Sequence, residues 1–361
     1  MKMRKIVCSF MISVVCFMTA ISGVSATSYD TSKINAAYSK VVEYYKNNNT
    51  LNNADKILAV ESLGLEAESN QFDTSSANLS STSLSKKIVT EVLLGVDPTK
   101  DKETLESQID ENGNVEGSWG ASSDVWTLYA LYVTSSEKTN LIANKLNDEL
   151  AASSVCGYEW GGTYYADYDT TGWVIEGLAV VNKEKYATTI NKAIDYIKNN
   201  TTMTTTGWVT ADNVDTQSQV LEGMFAYDTN ALLNDSYTVH PVDCLLNTQL
   251  SDGSFPSGYN AEYTTAEVAK TLGTYKNGSV IIKAKKAYDK MMNPEQPDNT
   301  KPAQPTDTKK DSQSTNKVET TNQKTTSVKT GDETNVVIFV SLSMVSGGLF
   351  LVLRKEYERV H

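Results

Sequence analysis

The feature that most constrains this chain is a period. Trp119, Trp160, Trp208 and Phe255, each in or beside a glycine-containing turn, follow one another at intervals of 41, 48 and 47 residues. Apolar segments open in step at Asp124, Asp169, Asp215 and Thr264, which lie 45, 46 and 49 residues apart. A unit of this length cannot bury its apolar face alone, so the repeat predicts stacked neighbours sharing one core. Glycine permits the sharp reversal in each turn, and the ring beside it is expected to pack over adjacent helix ends.

Each unit has room for a second helix. Thr139 to Leu150, Lys183 to Lys198, Pro241 to Gln249 and Ser279 to Met292 place apolar residues at steps of three and four, as in Ala187, Ile190, Ala193, Ile194 and Ile197. Ser32 to Lys46, Asn53 to Leu65 and Ser83 to Leu94 are weaker members of the same series. The expected class is all-α, built from about twelve helices in antiparallel pairs. Asp124, Asp169, Asp215 and Thr264 are expected to cap their helices, accepting hydrogen bonds from free backbone N–H groups, with Thr264 and Glu267 as a capping box.

The two ends carry a different signal. Lys2, Arg4 and Lys5 precede an apolar run from Ile6 to Ile21 and the small residues Val24, Ser25 and Ala26. That pattern predicts a secretory signal peptide over residues 1–26, too short in its apolar part for a membrane span. Val336 to Leu353 contains no charge and is followed by Arg354 and Lys355. Its length matches a bilayer, and the basic tail 354–361 would lie on the cytoplasmic side. Residues 293–335 are rich in Thr, Lys, Asp, Gln, Ser and Pro and nearly devoid of apolar side chains, the composition of an extended spacer. The folding domain is therefore placed at 29–292.

Charge narrows the partners. The formal net charge is -12, and loss of Lys2, Arg4 and Lys5 would make the remainder more acidic. An acidic exported chain without a basic patch is repelled by phosphate polymers, which excludes nucleic acid as a partner. Beyond the signal only Cys156 and Cys244 are available. Export permits a disulfide between them, and two separate buried thiols are the alternative.

Several phrases carry a family resemblance. Gln249-Leu250-Ser251-Asp252-Gly253-Ser254-Phe255 resembles the Gln-x-x-x-Gly-x-Trp turn of the prenyltransferase and squalene-cyclase repeat superfamily, with Phe255 in the aromatic place, and Gln108 to Trp119 is a looser copy. Asp169-Thr170-Thr171 and Asp215-Thr216-Gln217 resemble the Asp-Thr starts of that superfamily's inner helices. Leu94-Gly95-Val96-Asp97-Pro98-Thr99 is similar to a phrase of exported Firmicute members, some related to cobalamin carriers. The resemblance runs from Ser32 to Met292 and implies an α6/α6 toroid. Ser327 to Asp332 resembles the sorting signal of Gram-positive surface proteins: Lys329, Thr330 and Gly331 match its last three positions, while Ser327 and Val328 replace Leu-Pro. It implies sortase cleavage after Thr330 and linkage to peptidoglycan, with a retained membrane anchor as the alternative.

The superfamily's chemistries can be compared with the residues present. Cyclases protonate with the middle acid of Asp-x-Asp-Asp-Thr; Asp167-Tyr168-Asp169-Thr170-Thr171 keeps Asp169 but has Thr170 in place of its neighbour. Prenyltransferases hold zinc with Asp, Cys and a distant His, whereas His240, Asp243 and Cys244 are crowded into five positions. Thioester proteins use Cys-Gly-Glu-Gln, and Cys156-Gly157-Tyr158-Glu159 has no Gln. No cofactor or metal is expected. Tyr158, Trp160, Tyr164, Tyr165, Tyr168 and Trp173 crowd sixteen residues beside Asp167 and Asp169, and Tyr259 and Tyr263 fall in the corresponding loop two repeats on. With Asp169 and Asp215 these residues are expected to form an aromatic, acidic mouth, since Tyr and Trp give rigid contact area with polar tips. The resulting expectation is a cell-surface binding protein for a corrinoid-like molecule, a glycan or a host surface. The alternatives are a polysaccharide lyase or hydrolase using Asp167, Asp169, Asp215 or Glu262, and a purely adhesive module.

Overall fold

The computed structural model describes residues 29–294 except 49, 69–71, 73–78 and 204–212. The signal segment, the spacer, Lys329, Thr330, Gly331, the apolar stretch and Trp208 lie outside the described residues, as does the side chain of Trp160. The described part is helical with one small hairpin. In chain order the elements are α1 (Thr31–Asn47), α2 (Ala54–Ser62), α3 (Ser81–Leu93), α4 (Thr99–Ser107), α5 (Ala121–Val133), α6 (Thr139–Ser153), β1 (Gly157–Trp160) and β2 (Thr163–Ala166). They continue with α7 (Tyr168–Asn200), α8 (Val214–Asn234), α9 (Pro241–Leu246), α10 (Ala261–Asn277) and α11 (Val280–Met292). Among the described residues no helix is long and apolar enough to cross a membrane.

Two of these helices are each a pair. The backbone of α7 leaves helical geometry at Asn182, whose Oδ1 then accepts from Lys185 N at 3.0 Å, and that of α8 does so at Asp228, whose Oδ1 accepts from Ala231 N at 2.9 Å. The break residue caps the segment that follows, as an N-cap does.

Burial separates inner from outer helices. In α5, Val125, Leu128, Ala130, Leu131 and Val133 are all inaccessible, so apolar residues surround the helix. In α6 burial is confined to one stripe, Ile142, Ala143, Leu146 and Leu150. An apolar surface on every side belongs inside, and a single stripe belongs outside. Packing follows suit: α2 lies on α3, α3 on α5, α5 on α7, α7 on α8, α8 on α10, and α10 on α2. The outer helices cover these, with α6 against α5 and α7, α4 against α3 and α5, α1 against α9 and α10, and α9 against α8. The last helix, α11, crosses to α3 and α5 and buries Val280, Ile281 and Ala284.

Glycines set the closest crossings. A Cβ on Gly172 of α7 would collide with the Gln219 carbonyl of α8, and one on Gly223 would collide with the Gly172 carbonyl. The two backbones therefore touch directly, which explains glycine within otherwise buried helices.

Four capping expectations are corrected. Helix α7 is capped by Asp167, α8 begins after Asn213 and α10 is capped by Asn260, so Asp169, Asp215 and Thr264 all lie inside the first turns. Asp124 is the fourth residue of α5, behind an N-terminal Gly120. Thr264 makes no capping box, for its hydroxyl is buried without a hydrogen-bond partner. Each helix starts earlier than its apolar run because its first turn carries polar residues. The turn aromatics also diverge: Phe255 is fully buried, whereas Trp119 is 79% exposed.

Candidate functional site

Three helices carry the same inward pattern at positions i, i+4 and i+7. On α7 it is Asp169, Trp173 and Glu176; on α8, Asp215, Gln219 and Glu222; on α10, Tyr263, Glu267 and Lys270. That spacing aligns side chains on one helix face. The first layer lies at the helix starts, and the third, seven residues on, is about 10 Å deeper along the axis.

The deep layer is charged and dry. Lys270 Nζ lies 3.0 Å from Glu267 Oε2 and 3.9 Å from Glu222 Oε2, and each of the three is at most 3% exposed. Burial opposes the Lys270 charge, but Glu267, Glu222 and Asp55 hold its pKa above the ordinary lysine value. Burial drives Glu222 well above the usual carboxylate range, with Lys270 opposing and Glu176 adding repulsion. Tyr129 OH has one hydrogen and two acceptors in reach, Trp173 O at 2.9 Å and Glu176 Oε2 at 3.0 Å. Burial pushes the Glu176 carboxyl up, while the bonds from Ser279 and Tyr129 and the Lys270 charge work the other way. Its other oxygen accepts from Ser279 Oγ at 2.6 Å, tying α7 to the start of α11.

A second cation stands beside this group. Lys86 of α3 pairs with Asp55 of α2 at 2.8 Å. Burial works against the Asp55 carboxylate, yet Lys86 and Lys270 keep it below its usual range. The ammoniums of Lys86 and Lys270 lie 4.5 and 5.4 Å from the Trp126 ring centroid, a cation–π arrangement that lowers the penalty of burying two charges together.

The shallow layer lacks such compensation. Asp215 Oδ2 accepts from Tyr259 OH at 2.5 Å, Tyr259 meets Tyr263 at 6.2 Å between ring centroids, and Gln219 Nε2 donates to Tyr263 OH at 3.4 Å and to Glu267 Oε2 at 3.2 Å. Asp169 is pushed up to about 7, first by burial, then by Asp167, Asp215 and Glu267, with a bond from Thr216 working the other way. Among the described residues neither Asp169 nor Asp215 forms an ion pair with any of the lysines described above.

Of the anticipated mouth, Asp169, Asp215, Tyr259 and Tyr263 come together and the others do not. Trp173 turns inward onto Trp126, 5.9 Å between centroids. Tyr168 is partly buried at the start of α7. Tyr158 and Tyr165 stack on one face of the hairpin, 5.5 Å apart and 55% and 43% exposed. Tyr164, on the opposite face, donates to Val155 O at 2.8 Å and so belongs to the end of α6. Asp167 is engaged as a cap, accepting from Thr170 N, and Glu262 pairs with Lys56 at 3.0 Å. The hairpin turns through Gly161 and Gly162, at φ +57° and +77°, the left-handed pair that suits a two-residue turn.

Cys156 and Cys244 are not joined by a disulfide. Cys156 is buried beneath the hairpin, where burial raises its thiol, and its N–H donates to Thr171 Oγ1. Cys244 lies on α9, half-buried, and His240 caps that helix by accepting from Val242 N on Nδ1. A cavity of about 150 Å³, lined by Tyr44, Tyr45, Asn48, Thr50, Lys56 and Glu262, flanks the start of α10. It is smaller than most ligand pockets, so the acidic helix starts are the better candidate.

Glu176, Glu222, Lys270, Gln219, Tyr129, Trp126, Asp55 and Lys86 escaped the sequence reading. Their signal was available: Glu176 and Glu222 each stand seven residues after the Asp that opens the copy. Searches of family models, curated proteins and solved structures found no match to this chain.

Proposed function

We propose that this protein is a surface-displayed α6/α6 toroid of the prenyltransferase and squalene-cyclase kind that binds an extracellular glycan at the mouth formed by its inner helix starts. Closure is supported by the packing of α10 back onto α2, which leaves no free end in the succession of inner helices. Surface display rests on the basic, apolar and small-residue order of the first 26 residues and on the uncharged stretch Val336 to Leu353 before Arg354. Mass spectrometry of the mature chain tests the address: a C-terminus at Thr330 bearing cell-wall peptide supports sortase processing, and an intact tail supports a retained anchor.

The observation that carries the binding reading is the convergence of Asp169, Asp215 and Tyr263 from three helices with Tyr259 from the loop before α10. Carboxylates accept from sugar hydroxyls, and phenol rings offer flat faces with polar edges, the combination that holds polyhydroxylated ligands. A glycan array probed with wild type and with Asp215→Asn and Tyr259→Phe tests it, with a corrinoid titration alongside. Retained binding in both variants, or binding to corrinoid alone, overturns the assignment.

One observation favours a second reading, hydrolysis of the bound glycan. Burial and the neighbouring carboxyls Asp167 and Asp215 push Asp169 up to about 7, the range that suits a general acid. Release of new reducing ends by wild type, abolished in Asp169→Asn, would establish it; binding without release by both leaves a lectin-like role.

A further inference from the structure

The interior of the bundle holds more acid than base. Glu176 of α7, Glu222 of α8 and Glu267 and Lys270 of α10 are each at most 3% exposed, and one ammonium cannot neutralise three carboxylates. Two of the three carboxyls are met by close donors. Glu267 Oε2 has Lys270 Nζ at 3.0 Å and Gln219 Nε2 at 3.2 Å, and Glu176 has Ser279 Oγ at 2.6 Å and Tyr129 OH at 3.0 Å. Glu222 is left without one. Its Oε1 accepts a single long bond from Thr274 Oγ1 at 3.4 Å, and its Oε2 has no hydrogen-bond partner, the Lys270 ammonium lying 3.9 Å away. The charged and titratable groups that face it are Lys270 and Glu267 from α10, Glu176 from α7 and Tyr129 from α5. On the outer side of α8, α9 brings Asp243, settled on Lys33 at 3.0 Å, His240, which caps that helix, and the Cys244 thiol. Around Glu222 the helices meet through bare backbone: a Cβ on Gly223 would strike the Gly172 carbonyl of α7, and one on Gly273, beside Thr274, would strike the Ser62 backbone of α2. Hydration of the carboxyl therefore requires that these helices part. A buried carboxylate with neither water nor a close donor keeps a proton in place of its charge.

We propose that Glu222 is kept as an uncharged acid inside the native bundle and that its proton works as a latch, whose loss at alkaline pH parts α8 from α7 and α10. Burial acts on this carboxyl in the same direction, driving its pKa well above the usual carboxylate range. The folded chain holds the proton more tightly than the unfolded chain does, so the stabilising contribution is complete below the unfolded glutamate value of about 4.3 and is lost as pH rises. Glutamine has the same shape and cannot ionise, so it keeps the latch shut at every pH. Asp169 and Asp215 stand on the two helices joined here, yet the inference does not depend on what they bind.

Urea denaturation of the full-length chain and its Glu222→Gln variant, repeated across the pH range, tests this. The two unfolding constants are expected to diverge by about tenfold for each pH unit above about 4.3, in favour of the variant, until the folded acid ionises. Constants that keep a fixed ratio from pH 5 to pH 9 overturn the proposal, as does a variant that fails to fold, since a neutral acid is replaced by a neutral amide of the same shape. Infrared spectroscopy reads the proton directly. At pH 8 the difference between wild type and variant is expected to contain the C=O stretch of a protonated carboxylic acid, and a difference made of carboxylate bands alone overturns the assignment. Hydrogen exchange reads the latch. Amide protection around Gly172, Gly223 and Gly273 is expected to fall in wild type between pH 7 and pH 10 and to hold in Glu222→Gln; a loss in both proteins, or in neither, overturns the parting of the helices.

Discussion

Asp124 and Asp169 look like the same residue in two copies of one repeat, and the folded chain treats them as opposites. Asp124 is inaccessible and fully compensated, accepting from Ser118 Oγ at 2.6 Å and pairing with Lys145 of α6 at 2.9 Å. Asp169 faces Asp215 and Glu267, and its carboxyl is pushed up to about 7. The difference begins with helix register. Asp169 and Asp215 are the second residues of α7 and α8, and Asp124 is the fourth of α5. Two residues turn a side chain by about 200° about the helix axis. Asp124 is thereby swung to the outer helix, where a lysine neutralises it, and Ser122 takes the inward place. The lesson is that the location of the nearest cation, and not the residue type, separates a structural acid from a candidate functional one.

The contrast can be strained first at its deepest point. Lys270→Met removes the cation that neutralises the interior and leaves Glu267 and Glu222 facing each other. It should destabilise the fold by about 3–5 kcal/mol in guanidinium denaturation at pH 7. A loss below about 1 kcal/mol would mean that the deep carboxylates are held neutral without Lys270. Asp124→Asn should cost less, about 1.5–3 kcal/mol, by weakening two bonds to a buried charge.

At the mouth the sign reverses. The Asp169 pKa is raised in the folded chain, so the fold binds this proton more tightly than the unfolded chain does. Its stabilising contribution is complete below the unfolded value near pH 4 and is lost as pH rises toward 7. Asp169→Asn should therefore gain on wild type as pH rises from 4 to 7, by roughly 1–2 kcal/mol after solvent screening. A variant that tracks wild type across this range would show that Asp169 is ionised throughout and would end the contrast with Asp124. The smallest effect compares helix starts. Asn260 Oδ1 accepts from Tyr263 N at 3.1 Å, whereas Asn213 makes no side-chain cap. Replacement of Asn260 by Ala should cost about 1 kcal/mol, and replacement of Asn213 nearly nothing.

The period of apolar residues was enough to locate α1, α3, α6 and α11 within a few residues, because amphipathic helices write their burial into their sequence. Helix α4 was not anticipated: of its residues only Leu105 is buried, leaving little pattern to see. The hairpin read as a loop, since its exposed tyrosines lack the alternation of a half-buried strand. The site was legible in fragments. Asp169 and Asp215 stand out as the Asp-Thr starts of a repeat and Tyr259 and Tyr263 as loop aromatics, but the deeper carboxylates hide within apolar helices, where a charge looks like noise until its partners on two other helices are known. The Thr264 register was off by one, and that slip concealed the match of Tyr263, Glu267 and Lys270 with Asp215, Gln219 and Glu222.

The bond from Ser279 to Glu176 has a mechanical side. A load applied to the chain beyond Met292 meets α11 first and at its free end, where Met292 is 39% exposed, while Ser279 at the other end is pinned. Force then peels the helix residue by residue from α5 and α3 toward Ser279, and no large patch must shear at once. The Ser279 hydroxyl is the last tie to give way, and its release would leave Glu176 Oε1 without the donor it has in the folded chain.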